Sequence, residues 1–338
     1  MTIFMIGTQR SGSNLLRLML NQQPAIASPH PPHILERFMP LLPLYGNLET
    51  DAGFDLLVDD ICRMIEVNPV AWAGVTLDRK TVKACCFERS LMAVYSAVHD
   101  LMSEAKGALV WCCKSLANVH FLPQIEAFFP DARYIYIYRD GRDVAVSFRK
   151  AVVGEKSFYH IARQWHEEQQ LALGLKDRID AEKFFAVRYE DLTADSEKIL
   201  KEMMYHFKTP FVEEMLHFNI SAEAIATAKC GALWANVQQP VIKNNTRKFL
   251  NEAREEDIRI FEWVAGESLD HLGYDRMYTR KGETTIFGAA DIRSFEEENE
   301  RLKKAIISGI DSEELRLRKP QQELLKEIQT RRKYIVQN

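Results

Sequence analysis

The chain opens with a buried strand that turns at once into a helix, and that start constrains the fold more than any other feature. Thr2 to Ile6 carries almost no polar side chain, as a central parallel strand does when both of its faces are covered. A turn runs from Gly7 to Gly12. Asn14 to Asn21 then reads as a helix with Leu15, Leu18 and Met19 on one face, closed by Pro24. The first backbone N–H groups of such a helix have no partner within it and point beyond the sheet edge. This is the frame of a phosphate-binding loop, and it commits the chain to an α/β fold.

Gly7 and Gly12 have the spacing of the GxxxxGK[ST] loop of ATPases. Ser13 stands where that loop has its Lys, and Asn14 where it has the magnesium-binding hydroxyl. An ATPase or nucleotide kinase, the nearest rival reading, would therefore lack its phosphate cation and its metal ligand. Arg10 supplies a cation inside the loop instead. Backbone N–H groups of residues 10 to 14 aim at an anion, with the hydroxyls of Ser11 and Ser13 beside them. This reading calls for no metal.

A second segment adds a second anion position. Arg133 to Tyr138 alternates Tyr with Ile and predicts a strand. Arg139 ends it, and Ser147 follows eight residues later in the next predicted helix. Both converge at the carboxyl edge of the sheet, where open α/β folds bind their ligands. Two anion positions on different loops imply a nucleotide phosphorylated at two places.

Further strands are predicted at Ala108–Cys113 and Phe184–Arg188. Helices are predicted at Phe121–Phe129, Phe158–Leu175, Thr193–Phe207 and Glu255–Leu272, with Gly273 closing the last. Strand and helix alternate, so the core should be a P-loop-type central parallel sheet flanked by helices. Residues 1–280 read as one domain, in which 30–105 is a mostly helical insertion. Residues 281–338 form a charged helical tail with 12 basic and 11 acidic residues. In the tail Ile292, Phe295, Asn299, Leu302 and Ile306 step by 3 and 4 like a short coiled-coil seam. Leu317, Leu324, Ile328 and Ile335 suggest a second segment, with Pro320 between. The seam fits either a helix folded back on the domain or self-association into a homo-oligomer.

Composition narrows the partners. The formal net charge is −4 over 338 residues, which excludes a general nucleic-acid coat, so an anionic ligand must be held by a local cationic cluster. Cys62, Cys85, Cys86, Cys112, Cys113 and Cys230 offer no CxxC spacing and read as buried reduced thiols. No basic leader and no run of about 18 apolar residues is present, which predicts no membrane span and a cytoplasmic location.

With these segments together, the chain resembles the family of sulfotransferases that use 3′-phosphoadenosine 5′-phosphosulfate (PAPS). The loop Thr8-Gln9-Arg10-Ser11-Gly12-Ser13-Asn14 is similar to the family's 5′-phosphosulfate loop, and Arg139 with Ser147 to its 3′-phosphate pair. Lys114-Ser115, Phe129-Pro-Asp-Ala-Arg133, Val187-Arg-Tyr-Glu-Asp-Leu192, Asn245-Thr-Arg-Lys-Phe249 and Leu272-Gly-Tyr274 extend the resemblance over residues 1 to 276. Arg10 and the run Arg139-Asp-Gly-Arg142 are closer to tyrosylprotein-type and bacterial members than to animal cytosolic ones.

The resemblance implies PAPS as co-substrate, 3′-phosphoadenosine 5′-phosphate as product, and sulfuryl transfer without a metal. It implies that Tyr189, Arg247 and Lys248 help hold the nucleotide, and that Arg10 and Lys114 carry catalysis at the leaving phosphate. Two departures concern the base. Leu116 stands where cytosolic members have a catalytic His, and His30 stands at about the offset of the tyrosylprotein-type Glu. His30 is the first candidate base because imidazole titrates near neutral pH, with His33 and Glu36 as alternatives. The acceptor should be an apolar or aromatic small molecule or lipid, walled by 30–105 and the loop 151–158. A peptide tyrosine is the alternative acceptor, and a non-catalytic assembly protein the alternative class.

Overall fold

The computed structural model describes residues 2–243, 245–309 and 312–335. Strand β1 (Thr2–Gly7) runs through the loop into α1 (Ser13–Leu20) and the two-residue strand β2 (Ile26–Ala27). The stretch to 105 is helical: α2 (Ile34–Phe38), a 3-10 segment at Met39–Tyr45, α3 (Asp51–Glu66), α4 (Arg79–Cys85) and α5 (Leu91–Ala105). Then come β3 (Val110–Cys113), α6 (Leu122–Phe128), β4 (Arg133–Tyr138), α7 (Gly141–Arg149), α8 (Phe158–Lys176), β5 (Phe184–Arg188), α9 (Tyr189–Ala194) and α10 (Ser196–His206). The remainder holds α11 (Ala222–Lys229), α12 (Phe249–Glu252), α13 (Glu255–His271), α14 (Ala289–Ser308) and α15 (Ser312–Ile335).

A strand as apolar as β1 is stable only where both faces are covered. It lies at the centre of a five-stranded parallel sheet of order β2-β3-β1-β4-β5. The Tyr-Ile alternation of β4 follows from its register, with Phe4 opposite Tyr134 and Met5 opposite Ile135. Phe4, Ile6, Tyr134 and Tyr136 therefore share one face, packed under α3 and α5. Ile3, Met5, Ile135 and Ile137 share the other, packed under α1 and α10. A third cluster joins α7, α8 and α13 around Phe148, Trp165 and Phe261.

The predicted strands β1, β3, β4 and β5 stand close to their expected bounds. Four details differ. The predicted helix Thr193–Phe207 is two helices, because Asp195 leaves helical geometry and caps α10 by accepting from Lys198 N at 3.1 Å. The helix expected from Phe121 begins at Leu122 after a 3-10 turn, and the strand β2 was not foreseen. Among the cysteines, Cys85 is exposed and Cys86 half-buried, against the expectation of burial. None of the described helices is long and apolar enough to cross a membrane.

The charged tail packs against its own chain. Phe295 of α14 stacks on Tyr159 with ring centroids 4.8 Å apart. Asn299, read as a polar position in the seam, is buried and accepts from the backbone N of Lys156 (2.7 Å) and Ser157 (3.0 Å), at the start of α8. Pro320 does not interrupt the second segment: α15 runs across it. Leu324 and Ile328 of α15 enter the core under the sheet, and the side chain of Ile335 lies outside the described residues. Ile328→Ala is expected to lower unfolding free energy by about 2–5 kcal/mol in urea titration, since it empties a fully buried position.

Candidate functional site

The phosphate loop gains its shape from two close approaches. Gly7 has φ 130°, and a Cβ there would stand 2.2 Å from Ile137 O of β4. Gly12 has φ 88°, and a Cβ would meet the Tyr189 ring at 2.3 Å. No side chain fits either place. Arg10 adopts φ 72° between them. The Thr8 hydroxyl accepts from Gln169 Nε2 at 2.8 Å and so ties the loop to α8.

The two sequence segments meet through side chains. Arg10 Nε donates to Ser147 Oγ at 3.0 Å. Arg139 Nη1 donates to Arg10 O (3.3 Å), and its Nη2 to Asn245 O (2.6 Å) and Asp143 Oδ2 (3.3 Å). The Arg139 guanidinium lies 4.4 Å over the Tyr189 ring, whose hydroxyl accepts from Asn245 Nδ2 at 2.6 Å. Three polar atoms here are buried without a partner among the described residues: Ser11 Oγ, Asn14 Oδ1 and Arg139 Nε. Such orphans cost free energy unless a ligand satisfies them.

A cleft of about 950 Å³ opens from this point. Gln9, Arg10, Gly12, Ser13 and Asn14 line it from the loop, with Arg139, Ser147, Tyr189 and Lys248 beside them. His30, His33, Glu36 and Lys114 line it as well, so candidates from six chain segments are brought together. Thr8 and Ser11 lie inside the loop rather than on the cleft wall. Arg247 is exposed, at φ 55°, and is not on the wall.

Electrostatics single out Lys114. Burial and the neighbouring charges of Arg17 and Arg10 push its ammonium down to about 7. Arg10 is itself lowered to about 10, first by burial and then by Arg139 and Arg318. The His30 imidazole is held well below its ordinary value by burial, then by Arg17 and Lys114. Its Nδ1 lies 3.3 Å from Asn68 Nδ2, which also donates to His30 O, and Trp72 Nε1 donates to the same carbonyl at 2.8 Å. His33 is lowered by burial, and the adjoining Glu36 carboxylate opposes that shift. His33 Nδ1 and Glu36 Oε2 are 3.3 Å apart, an ion pair when the ring is protonated. His120 is exposed and faces Glu168 at 3.5 Å, off the cleft.

Several residues went unmarked in the sequence. Arg17 is fully buried, pairs with Glu223 and donates to Ser28 O (3.0 Å), and its charge acts on both Lys114 and His30. It sits among leucines on α1, where a charge reads as solvent-facing. Asn68, Trp234, Arg318 and Gln321 carry no local pattern that predicts a cleft wall, because each arrives there through the tertiary fold.

A cationic loop after β1, Arg139 at the adjoining end of β4 and no Walker lysine set this parallel α/β protein apart from the ATPase pattern. Residues 2–213 match the sulfotransferase family, and the chain belongs to that family. It is similar to protein-tyrosine sulfotransferase A of Caenorhabditis elegans, 22% identical over 280 residues, which are 81% of this chain and 67% of the relative. The fold is shared with the sulfotransferase domain of the Synechococcus PCC 7002 olefin synthase, with TM-score 0.56, 19% identity, and 81% and 94% of the two chains covered. It is shared also with the sulfotransferase domain from the curacin biosynthetic pathway, with TM-score 0.51, 20% identity, and 81% and 98% covered.

Proposed function

We propose that this sulfotransferase takes its sulfuryl group from PAPS and delivers it to a hydroxyl or amine of an acceptor with an apolar or aromatic part. The observation that carries the reading is the unpartnered Arg139 Nε on the cleft wall, beside the Arg10–Ser147 bond. Together they offer anionic oxygens a place at the ends of β1 and β4. Arg139 and Ser147 would hold the 3′-phosphate, and the loop amides with Arg10 the 5′-phosphate. Tyr189 and Lys248 flank the same end. The nucleotide supplies the sulfuryl group, and the chain's part is to position, neutralise charge and move one proton. Leu41, Val237, Ile242, Leu325 and Trp234 give the acceptor its apolar wall.

Lys114 stands where charge grows on the leaving phosphate. For the base, His33 has the better surroundings. Its Nδ1 adjoins a carboxylate that favours the imidazolium formed on proton uptake. His30 has its Nδ1 turned to the Asn68 amide, which suits a neutral ring that donates from Nε2. Glu36→Gln is expected to lower kcat by about tenfold or more. It also moves the acid limb of the pH profile to lower pH, because this carboxylate is what raises the His33 imidazole. An unchanged profile overturns the pairing.

Binding and transfer test the whole reading. Calorimetry is expected to give magnesium-independent binding of 3′-phosphoadenosine 5′-phosphate. Tighter, magnesium-dependent ATP binding overturns it in favour of a nucleotide kinase. Transfer from labelled PAPS to a panel of phenols, alcohols, hydroxylated lipids and tyrosine peptides then identifies the acceptor class, the last being suggested by the name of the nematode relative.

A further inference from the structure

Besides Lys150, which pairs with Glu252 (2.7 Å), the cleft holds two cations that the nucleotide positions leave over. Arg10, Lys114, Arg139 and Lys248 belong to the phosphate side. Arg37 and Arg318 line the cleft elsewhere, beside His33 and Trp234. Arg37 follows Glu36 on α2. Its Nη1 donates to Pro32 O (3.0 Å) and touches Met64 Sδ (3.1 Å). Its Nε and Nη2 have no hydrogen bond, and no acid stands within ion-pair distance of it, among the described residues. The nearest carboxylate in sequence, Glu36, is set against His33.

Arg318 comes from α15, beyond the 2–213 stretch that matches the family. Its Nε and Nη2 share Glu314 Oε1 (3.1 and 2.8 Å), its guanidinium lies 5.2 Å over the Trp234 ring, and Nη1 is left without a partner among the described residues. Trp234 in turn meets His30 edge-on at 5.3 Å. The helix is fixed in place: Gln321 Nε2 donates to Asn68 Oδ1 (3.1 Å), and Arg331 Nη2 to Asp60 Oδ1 (3.0 Å). The charge of Arg318 lowers the guanidinium pKa of both Arg10 and Arg37. Cations gathered in a half-buried cleft repel one another unless an anion comes between them.

We propose, on the sulfotransferase reading of the site above, that the acceptor is itself anionic, and that Arg37 and Arg318 hold its carboxylate or phosphate while its hydroxyl faces the histidines. Guanidinium pairs with such groups through two parallel N–H donors, and Arg37 has two donors to give. The C-terminal helix is then part of the acceptor site, and selects hydroxy acids or hydroxylated phosphates over neutral alcohols of the same shape.

The test is calorimetry with 12-hydroxydodecanoate and 3-(4-hydroxyphenyl)propanoate, each against its methyl ester. Each probe is titrated into the full chain, free and loaded with 3′-phosphoadenosine 5′-phosphate. At least one acid is expected to bind about tenfold more tightly than its ester, and to lose that margin in Arg37→Gln and Arg318→Gln. A Glu314→Gln/Arg318→Gln double variant removes the same charge without stranding the buried acid, and should lose the margin equally. Acid and ester binding alike, no binding by either acid, or a margin that survives all three variants overturns the proposal. So does a larger loss of nucleotide affinity than of acid affinity. Titration of the free protein separates this outcome from failure of nucleotide binding, which would strike the PAPS reading instead.

Discussion

Lys114→Met is expected to slow sulfuryl transfer by about two to three orders of magnitude while leaving the protein folded. Lys114 lines the cleft between the loop and the candidate bases, with no acid at ion-pair distance among the described residues. Its ammonium has been brought down to about 7 by burial and by Arg17 and Arg10. The free fold therefore disfavours this charge, fully so below about pH 7 and progressively less toward the ordinary lysine value. Methionine removes that cost, so the variant should be at least as stable as the parent in urea titration. A phosphate in the cleft reverses the preference and recharges the amine. Binding of 3′-phosphoadenosine 5′-phosphate at pH 8 should then take up protons, read by calorimetry in buffers of different ionisation heat. The uptake should be absent in Lys114→Met. Near-normal turnover in the variant, or the same proton uptake, removes Lys114 from the mechanism.

Arg142→Met should cost about 3–5 kcal/mol of stability, the largest single structural loss we expect. Arg142 is buried and forks onto Asp140, with Nε to Oδ1 at 3.0 Å and Nη2 to Oδ2 at 2.8 Å. Its Nη1 reaches Glu262 Oε1 and Asp275 O at 2.8 and 2.9 Å. Glu262 also accepts from the backbone N of Met277, Tyr278 and Thr279. One guanidinium thus ties α7, which carries Ser147, to α13 and the segment after it. Methionine leaves two carboxylates in a space prepared for a cation. Lysine keeps the charge but loses the fork, so Arg142→Lys should fall between the two in urea titration. A loss below about 1 kcal/mol for Arg142→Met would mean that the buried acids had found protons or other partners.

What the sequence disclosed depended on whether a residue's role is local. The strand β1 and the loop after it are set by consecutive residues, so both were legible, and so was the Tyr-Ile alternation of β4, which sorts two faces of one sheet. The pairing of Arg10 with Ser147 was less accessible, because the two lie 137 positions apart and only the sheet brings them together. The base is a different case. His30, His33 and Glu36 sit within seven residues, and what separates them is Asn68, contributed by another element. The tail was the least transparent part. Charge hides the apolar stripe that seats Leu324 and Ile328 in the core, and two short heptads look alike whether they meet their own domain or another chain.

The order of the strands has its own consequence. The loop after β1, Lys114 after β3 and Arg139 after β4 issue from three neighbouring strands. Neighbouring strands lie about 4.8 Å apart in any sheet, whatever side chains they carry. Backbone hydrogen bonding therefore acts as a ruler that spaces the cationic groups. Most of the surrounding sequence can drift without altering that strand spacing, as the shared fold at 19% identity illustrates.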